Sequence, residues 1–175
     1  MNDKHRMLRH FLAAIAYRTQ KALRDAPASF ADYAPIDGVR SPTSLVRHMT
    51  SVLGYSRTFF VGGHYRADPL ESLQAEVRRF HEMLALLAAH LERGDPLLGG
   101  ILPEQLLQGP FADAMTHTGQ LALLRRLAGS PVAPENFIVA SIDPERLGPD
   151  QPRPASPDPE WPEAPPGWTP PPARR

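Results

Sequence analysis

Apolar residues recur three and four positions apart in four segments of the chain, and this spacing predicts four amphipathic helices. The third segment is the most regular, since its apolar positions from Leu70 to Leu91 alternate steps of three and four without a break. That pattern is typical of a helix-bundle seam. The predicted helices, with their boundary residues, cover about 4–24, 41–63, 69–94 and 111–129.

Residues at the ends of these segments favour helix boundaries. Ser41 is a good N-cap, and Pro42 suits the first helical position because its missing N–H would be unpaired there anyway. Gly94 is predicted to end the third helix. The Gly-Pro pair at 109–110 is predicted to start the fourth helix, and Gly129 to close it.

The links between these helices show little further periodicity. Residues 25–40 and 93–108 form long links that contain Pro, Gly and Asp, with PEQLLQ at 103–108 predicted as a short helical turn. The stretch FIVASI at 137–142 is predicted to be a short extended piece. Four helices with one apolar stripe each predict an all-α fold, a four-helix bundle over residues 1–148.

The last segment, 149–175, differs in composition, because it holds 11 of the 21 prolines. Composition alone favours disorder or polyproline II. We predict a proline-rich tail that lies extended over the bundle, or over a partner subunit, with Trp161 and Trp168 as apolar anchors.

Composition narrows the classes of function for this 175-residue chain. Nineteen Lys and Arg balance nineteen Asp and Glu, which argues against nucleic-acid partners. The two arginine pairs, at 78–79 and 125–126, are interpreted as solvent-exposed helix faces rather than as a nucleic-acid surface. The chain contains no cysteine, so disulfides, thiolate ligands and a cysteine nucleophile are excluded. The absence of a signal-like or membrane-spanning apolar run favours a soluble, cytoplasmic protein.

The fourth helix opens with two polar residues where its apolar stripe should begin. In FADAMTHTGQLALLRRLAG, Asp113 and His117 are four apart and therefore neighbours on one helix face. His48 lies on the inward half of the second helix, among Leu45, Val52, Tyr55 and Phe59 on a helical wheel. Structural or surface positions are predicted for the other histidines, which are His5, His10, His64, His81 and His90. Half-exposed positions are predicted for His81 and His90.

Two interpretations of these three residues stay open. Two imidazoles and one carboxylate from neighbouring helices can occupy one face of a metal ion and leave positions for water or substrate. Asp113 could equally be a first-turn carboxylate favoured by the helix dipole, or pair with His117 without any metal. A single buried histidine such as His48 is more often a hydrogen-bonded core residue than a ligand.

The combination of RHMTSVLGYSRTFF with DAMTHTGQLALLRRLAG is similar to the DinB superfamily of small bacterial four-helix proteins, and the resemblance covers roughly residues 5–148. In that family three histidines hold a divalent metal, commonly zinc or nickel. The resemblance implies ligand roles for His48 and His117. It places Asp113 where the family has a histidine, a departure that could favour iron or manganese.

The same resemblance implies an enzyme, since relatives include transferases and an isomerase that use a low-molecular-weight thiol. A small-molecule substrate and a thiol or water nucleophile are then expected, with Gln120 bonding a ligand in the second shell. Tyr55, Tyr17 and Arg18 are predicted at the mouth of the site. The alternative is a non-catalytic scaffold or binding module with a degenerate metal site, and a homodimer is expected in either case.

Overall fold

The computed structural model describes residues 2–154 together with 160, 161, 164, 166, 167 and 169. Within that part of the chain the protein is helical and contains no strand, which confirms the all-α prediction. The helices are α1 (Asp3–Leu23), α2 (Pro42–Val61), α3 (Leu73–Arg93), the short α4 (Pro103–Leu106) and α5 (Ala112–Leu127).

The four long helices pack around a shared core, and each of them contacts two neighbours closely. Helix α1 packs on α3 and α5, and α2 packs on the same two helices, so α1 and α2 lie diagonally across the bundle. Fully buried side chains from every long helix fill the centre: Leu12, Ile15, Leu45, Met49, Leu53, Phe80, Leu84, Leu87, Leu91 and Leu121.

Side-chain caps decide where the helices begin. The Ser41 hydroxyl accepts from the Ser44 N–H, so α2 begins at the predicted residue. Helix α3 begins at Leu73, after the Ser72 cap, rather than near Pro69. The N–H of Leu70 is instead donated to the buried Glu76 carboxylate at 2.9 Å, which holds this stretch outside the helix.

The fourth predicted helix is α5, which begins at Ala112, shortly after the Gly-Pro pair, as predicted. Helix α4 confirms the helical turn expected at 103–108, but a π-helical turn, Leu107–Phe111, then joins it to α5. Gly109 lies inside this turn at φ −95° and ψ −105°, so the Gly-Pro pair also marks a kink between α4 and α5. Because Pro110 has no N–H to donate, a widened turn at this position sacrifices little backbone hydrogen bonding.

The chain after α5 lies along α1. Tyr17 donates to Glu135 at 2.6 Å, Arg9 pairs with Glu145 at 2.6 Å, and Lys21 donates to the carbonyl of Ala133. Phe137–Val139 is a 3-10 turn and not the predicted extended piece, since the Asn136 side chain accepts from the Ile138 N–H. We refer to residues 131–154 as the C-terminal segment.

Most of the proline-rich tail, including Trp168, lies outside the described residues, and its path stays a prediction. Trp161 is described and is 8% exposed. Its ring lines a cavity with Arg125 of α5 and Arg153 of the C-terminal segment. Among the described helices, none combines the length and apolar character that crossing a membrane requires.

Candidate metal centre

Helices α2 and α5 bring together the three residues singled out in the sequence. His48 comes from α2, and Asp113 and His117 come from successive turns of α5. One potential ligand atom from each lies within 4.8 Å of the other two. The two imidazole rings meet edge to face, with centroids 4.7 Å apart and planes at 75°.

The orientation of His117 is fixed by Gln120, one helical turn further along α5. The His117 Nδ1 lies 2.8 Å from Gln120 Oε1, and since an amide oxygen can only accept, Nδ1 carries the proton. The other ring nitrogen, Nε2, then presents a lone pair. This is the tautomer a metal ligand needs, with its second nitrogen held by a neighbour.

The His117 Nε2 atom is buried and has no hydrogen-bond partner among the described residues. It lies 3.3 Å from Asp113 Oδ1, but the arrangement does not form a hydrogen bond. A buried lone pair without a partner costs about 1–3 kcal/mol. A cation shared with Asp113 and His48 would remove that cost, so the residues present fit a divalent metal.

One pair of ligand atoms already has the spacing that a bound ion requires, since Asp113 Oδ1 lies 3.3 Å from His117 Nε2. Ligands about 2.1 Å from one ion lie roughly 3.4 Å apart in a tetrahedral site, compared with the 4.8 Å limit seen here. The Asp113 side chain is 48% exposed, whereas His117 is 9% exposed. Closure around an ion therefore concerns the distance from His48 to this pair, and the exposed Asp113 carboxylate can adjust to it.

The environment of His48 favours the neutral imidazole that metal binding requires. Burial, the positive charge of Arg40 and the neighbouring His117 ring lower the pKa of His48, while Asp113 opposes them. His48 is therefore ready to bind a metal without first losing a proton at neutral pH.

Two clefts open beside these three residues. One, of about 720 Å³, is lined by Asp113 with Val52, Tyr55, Pro110 and Thr116. The other, of about 400 Å³, is lined by His48 and by several charged side chains of the 40–47 and 66–68 stretches. Ser51 lines both clefts. The candidate centre is thus open to small molecules from two directions.

The predicted neighbours of the site divide into two groups. Tyr55 is 55% exposed and lines the larger cleft, and Gln120 contacts His117 directly. The structure places Tyr17 and Arg18 elsewhere, facing the C-terminal segment. Burial and the hydrogen bond to Glu135 raise the pKa of Tyr17, and the Arg18 guanidinium lies 4.0 Å from the centre of the Phe137 ring.

Three of the histidines assigned structural or surface positions are buried, including the two predicted to be half-exposed. His81 is 3% exposed and donates from Nδ1 to the Leu147 carbonyl at 2.6 Å. His90 stacks on Phe60 and bonds Asp95 at 2.7 Å. His5 is 7% exposed. The helical wheel missed this burial because the covering residues come from other parts of the chain.

Sequence reasoning also missed a buried carboxylate. Glu76 is fully buried and accepts from Arg47 at 2.7 Å, from Arg79 and from the Leu70 N–H. Burial alone would raise the pKa of Glu76, but these donors lower it below its usual range. The sequence gives little signal of this burial, because Glu76 lies beside the unbroken apolar seam of α3, next to Val77.

Fold and site together define an all-helical protein with a His-Asp-His cluster between two of its helices. Comparison with protein-family models, with curated proteins and with solved structures returned no match for this chain. The resemblance to the DinB superfamily stays a prediction from sequence motifs.

Proposed function

We propose that this chain is a DinB-like protein that binds a divalent metal through His48, Asp113 and His117 and uses it in a transferase or hydrolase reaction. The observation that carries the proposal is the buried Nε2 atom of His117. Within the described part of the chain it has no hydrogen-bond partner, Gln120 holds the ring in the metal-binding tautomer, and two further candidate ligands lie close by.

The chain's own residues supply binding and orientation. Gln120 holds the His117 ring, His48 approaches from α2, and Asp113 provides a carboxylate that can move. Zinc or nickel suits the two imidazoles, and the carboxylate also admits iron or manganese. When bound, such a metal supplies Lewis acidity, which can generate a thiolate or hydroxide nucleophile at neutral pH.

The nucleophile has to come from outside the protein if it is a thiol. The chain has no cysteine, so a thiol must enter with a small cosubstrate. The two clefts beside the cluster provide separate approaches for a substrate and such a cosubstrate. Tyr55 supplies an exposed hydroxyl in the larger cleft that can contact either molecule.

Metal content tests the proposal directly. We expect near-stoichiometric metal, by plasma mass spectrometry, in protein purified without a tag or chelator. His48→Ala and His117→Ala should lose it, because each removes one of three ligands. His10→Ala is the matched control, since His10 is an exposed histidine of α1. Thermal unfolding of each variant verifies that the fold is intact.

Other outcomes would contradict the proposal. If the parent protein takes up no zinc, nickel, iron or manganese even after incubation with each, the three residues do not form a metal site. His48→Ala would then alter stability only, as expected for the dimeric scaffold. Equal metal in the parent and in both alanine variants would place the ion elsewhere.

A further inference from the structure

We propose that the smaller cleft, lined by Arg40, Arg47 and Arg66, binds a carboxylate or phosphate group of a small-molecule substrate. The assignment of that molecule as a substrate rests on the proposed metal function. The anion site itself stands on the geometry of the cleft. Neither the apolar periodicity of the helices nor the three candidate ligands explains why arginines occupy these positions.

The cleft brings three arginines from two separate stretches to one concave surface. Arg40 precedes the cap of α2, Arg47 lies on α2, and Arg66 belongs to the link between α2 and α3. Asp68 is the only acidic residue among the described residues that line the cleft. The lining therefore carries a net positive charge.

Arg47 is held in place by the buried carboxylate of Glu76. Its Nε donates to Glu76 Oε1 at 2.7 Å, and that carboxylate is fully buried and also accepts from Arg79. Because two guanidinium groups share one carboxylate, the cluster keeps one excess positive charge. The Nη groups of Arg47 are the donors that an anion in the cleft would meet, in the fork geometry that suits carboxylates and phosphates.

Arg40 and Arg66 contribute further positive charge to the cleft. Both are exposed, and within the described chain neither guanidinium has an ion-pair partner. Arg40 is close enough for its charge to act on the His48 ring. Two such arginines beside a fixed third one can surround a single anionic group.

The N-terminus of α2 adds to the positive electrostatic potential of the cleft. The positive end of the α2 dipole lies at Pro42, and Ser44 of its first turn lines the cleft. The backbone N–H groups of Ser44 and Leu45 are already bonded to Ser41. Recognition of the anion therefore falls to the arginine side chains, with the helix adding only its field.

The position of the cleft defines the class of substrate. His48 lines it, so a molecule anchored there by its anionic end has its remaining atoms beside the three candidate ligands. The larger cleft on the Asp113 side has Val52, Pro110 and Tyr55 in its wall. A small acid with a less polar remainder fits this pair of clefts.

Titration calorimetry of the full chain with inorganic phosphate and with succinate, at constant ionic strength, tests the anion site. We expect binding of at least one anion, weakened tenfold or more in the double variant Arg40→Gln/Arg66→Gln. Arg78→Gln, an exposed arginine of α3 outside the cleft, should bind as the parent does. Metal content should be unchanged in all three proteins.

The His117→Ala variant separates this proposal from the previous one. If anion binding disappears in His117→Ala but survives in the double arginine variant, the anion bound the metal and the cleft proposal is overturned. No anion binding by the parent, or equal binding by all variants, also overturns it. Binding that depends on Arg40 and Arg66 in a parent without metal would support the cleft and contradict the metal function.

Discussion

At the scale of single residues, the contact between Gln120 and His117 sets the chemistry of the candidate centre. A neutral imidazole has one donor and one acceptor nitrogen, and the amide oxygen selects Nδ1 as the donor. The acceptor is consequently directed toward Asp113 and His48. One hydrogen bond of 2.8 Å thus holds His117 in the tautomer and orientation of a metal ligand.

Replacing Gln120 tests this role. Gln120→Leu should lower metal affinity about 10- to 100-fold, because the His117 ring loses the group that fixes its tautomer and orientation. Gln120→Glu keeps an acceptor and should retain the affinity of the parent. Competition against a chromophoric chelator measures both. Equal affinities for the leucine variant and the parent would show that Gln120 does not position the ring.

At the scale of secondary-structure elements, two helical glycines have opposite environments. A Cβ added to Gly54 of α2 would overlap the ring of Tyr65, whereas one added to Gly119 of α5 would meet nothing within 4 Å. Both glycines lower helix propensity by about 1 kcal/mol relative to alanine. Only the first therefore has a packing reason to be glycine.

The matched substitutions Gly54→Ala and Gly119→Ala separate propensity from packing. Gly119→Ala should raise the free energy of unfolding by about 0.5–1 kcal/mol. Gly54→Ala should lower it by about 1–3 kcal/mol, because the displaced Tyr65 ring outweighs the gain in propensity. Urea unfolding at neutral pH measures both. Stabilisation by both changes would mean that Tyr65 moves aside at little cost.

The sequence predicted the elements better than it predicted the site. Periodicity and the Ser41 cap locate helices because both are local signals, and the spacing of Asp113 and His117 is local too. The kink at Gly109 was missed because glycine and proline also mark helix starts. The arginine cleft was invisible because Arg40 and Arg66 meet only when the chain on either side of α2 folds back.

At the scale of the whole molecule, burial of His81 couples stability to pH. Burial lowers the pKa of His81 to about 4, and it outweighs the hydrogen bond to the Leu147 carbonyl, which by itself would raise the pKa. The unfolded chain has the ordinary imidazole pKa of about 6.5 and so binds a proton first as pH falls. This contribution to stability is complete above about pH 6.5 and is lost as pH falls toward 4.

The expected loss from His81 is about 3 kcal/mol between neutral pH and pH 4. His81→Gln should therefore lose less stability than the parent over this interval, whatever its stability at pH 7. His10→Gln, an exposed control on α1, should follow the parent. Urea unfolding across this range supplies the comparison. Parallel curves for all three proteins would assign the pH dependence to other groups.

The path of the C-terminal segment has a mechanical consequence. It leaves α5 beside Lys21, reaches Arg9 through Glu145, and returns to Arg24, which donates to the carbonyl of Gln151 at 2.7 Å. Tension applied at residue 154 would therefore detach the contacts one after another, beginning with the Arg153–Asp25 ion pair and then Arg24, instead of loading them together. A segment attached in this way peels at low force, so the helical core can keep its shape while the end of the chain is pulled away.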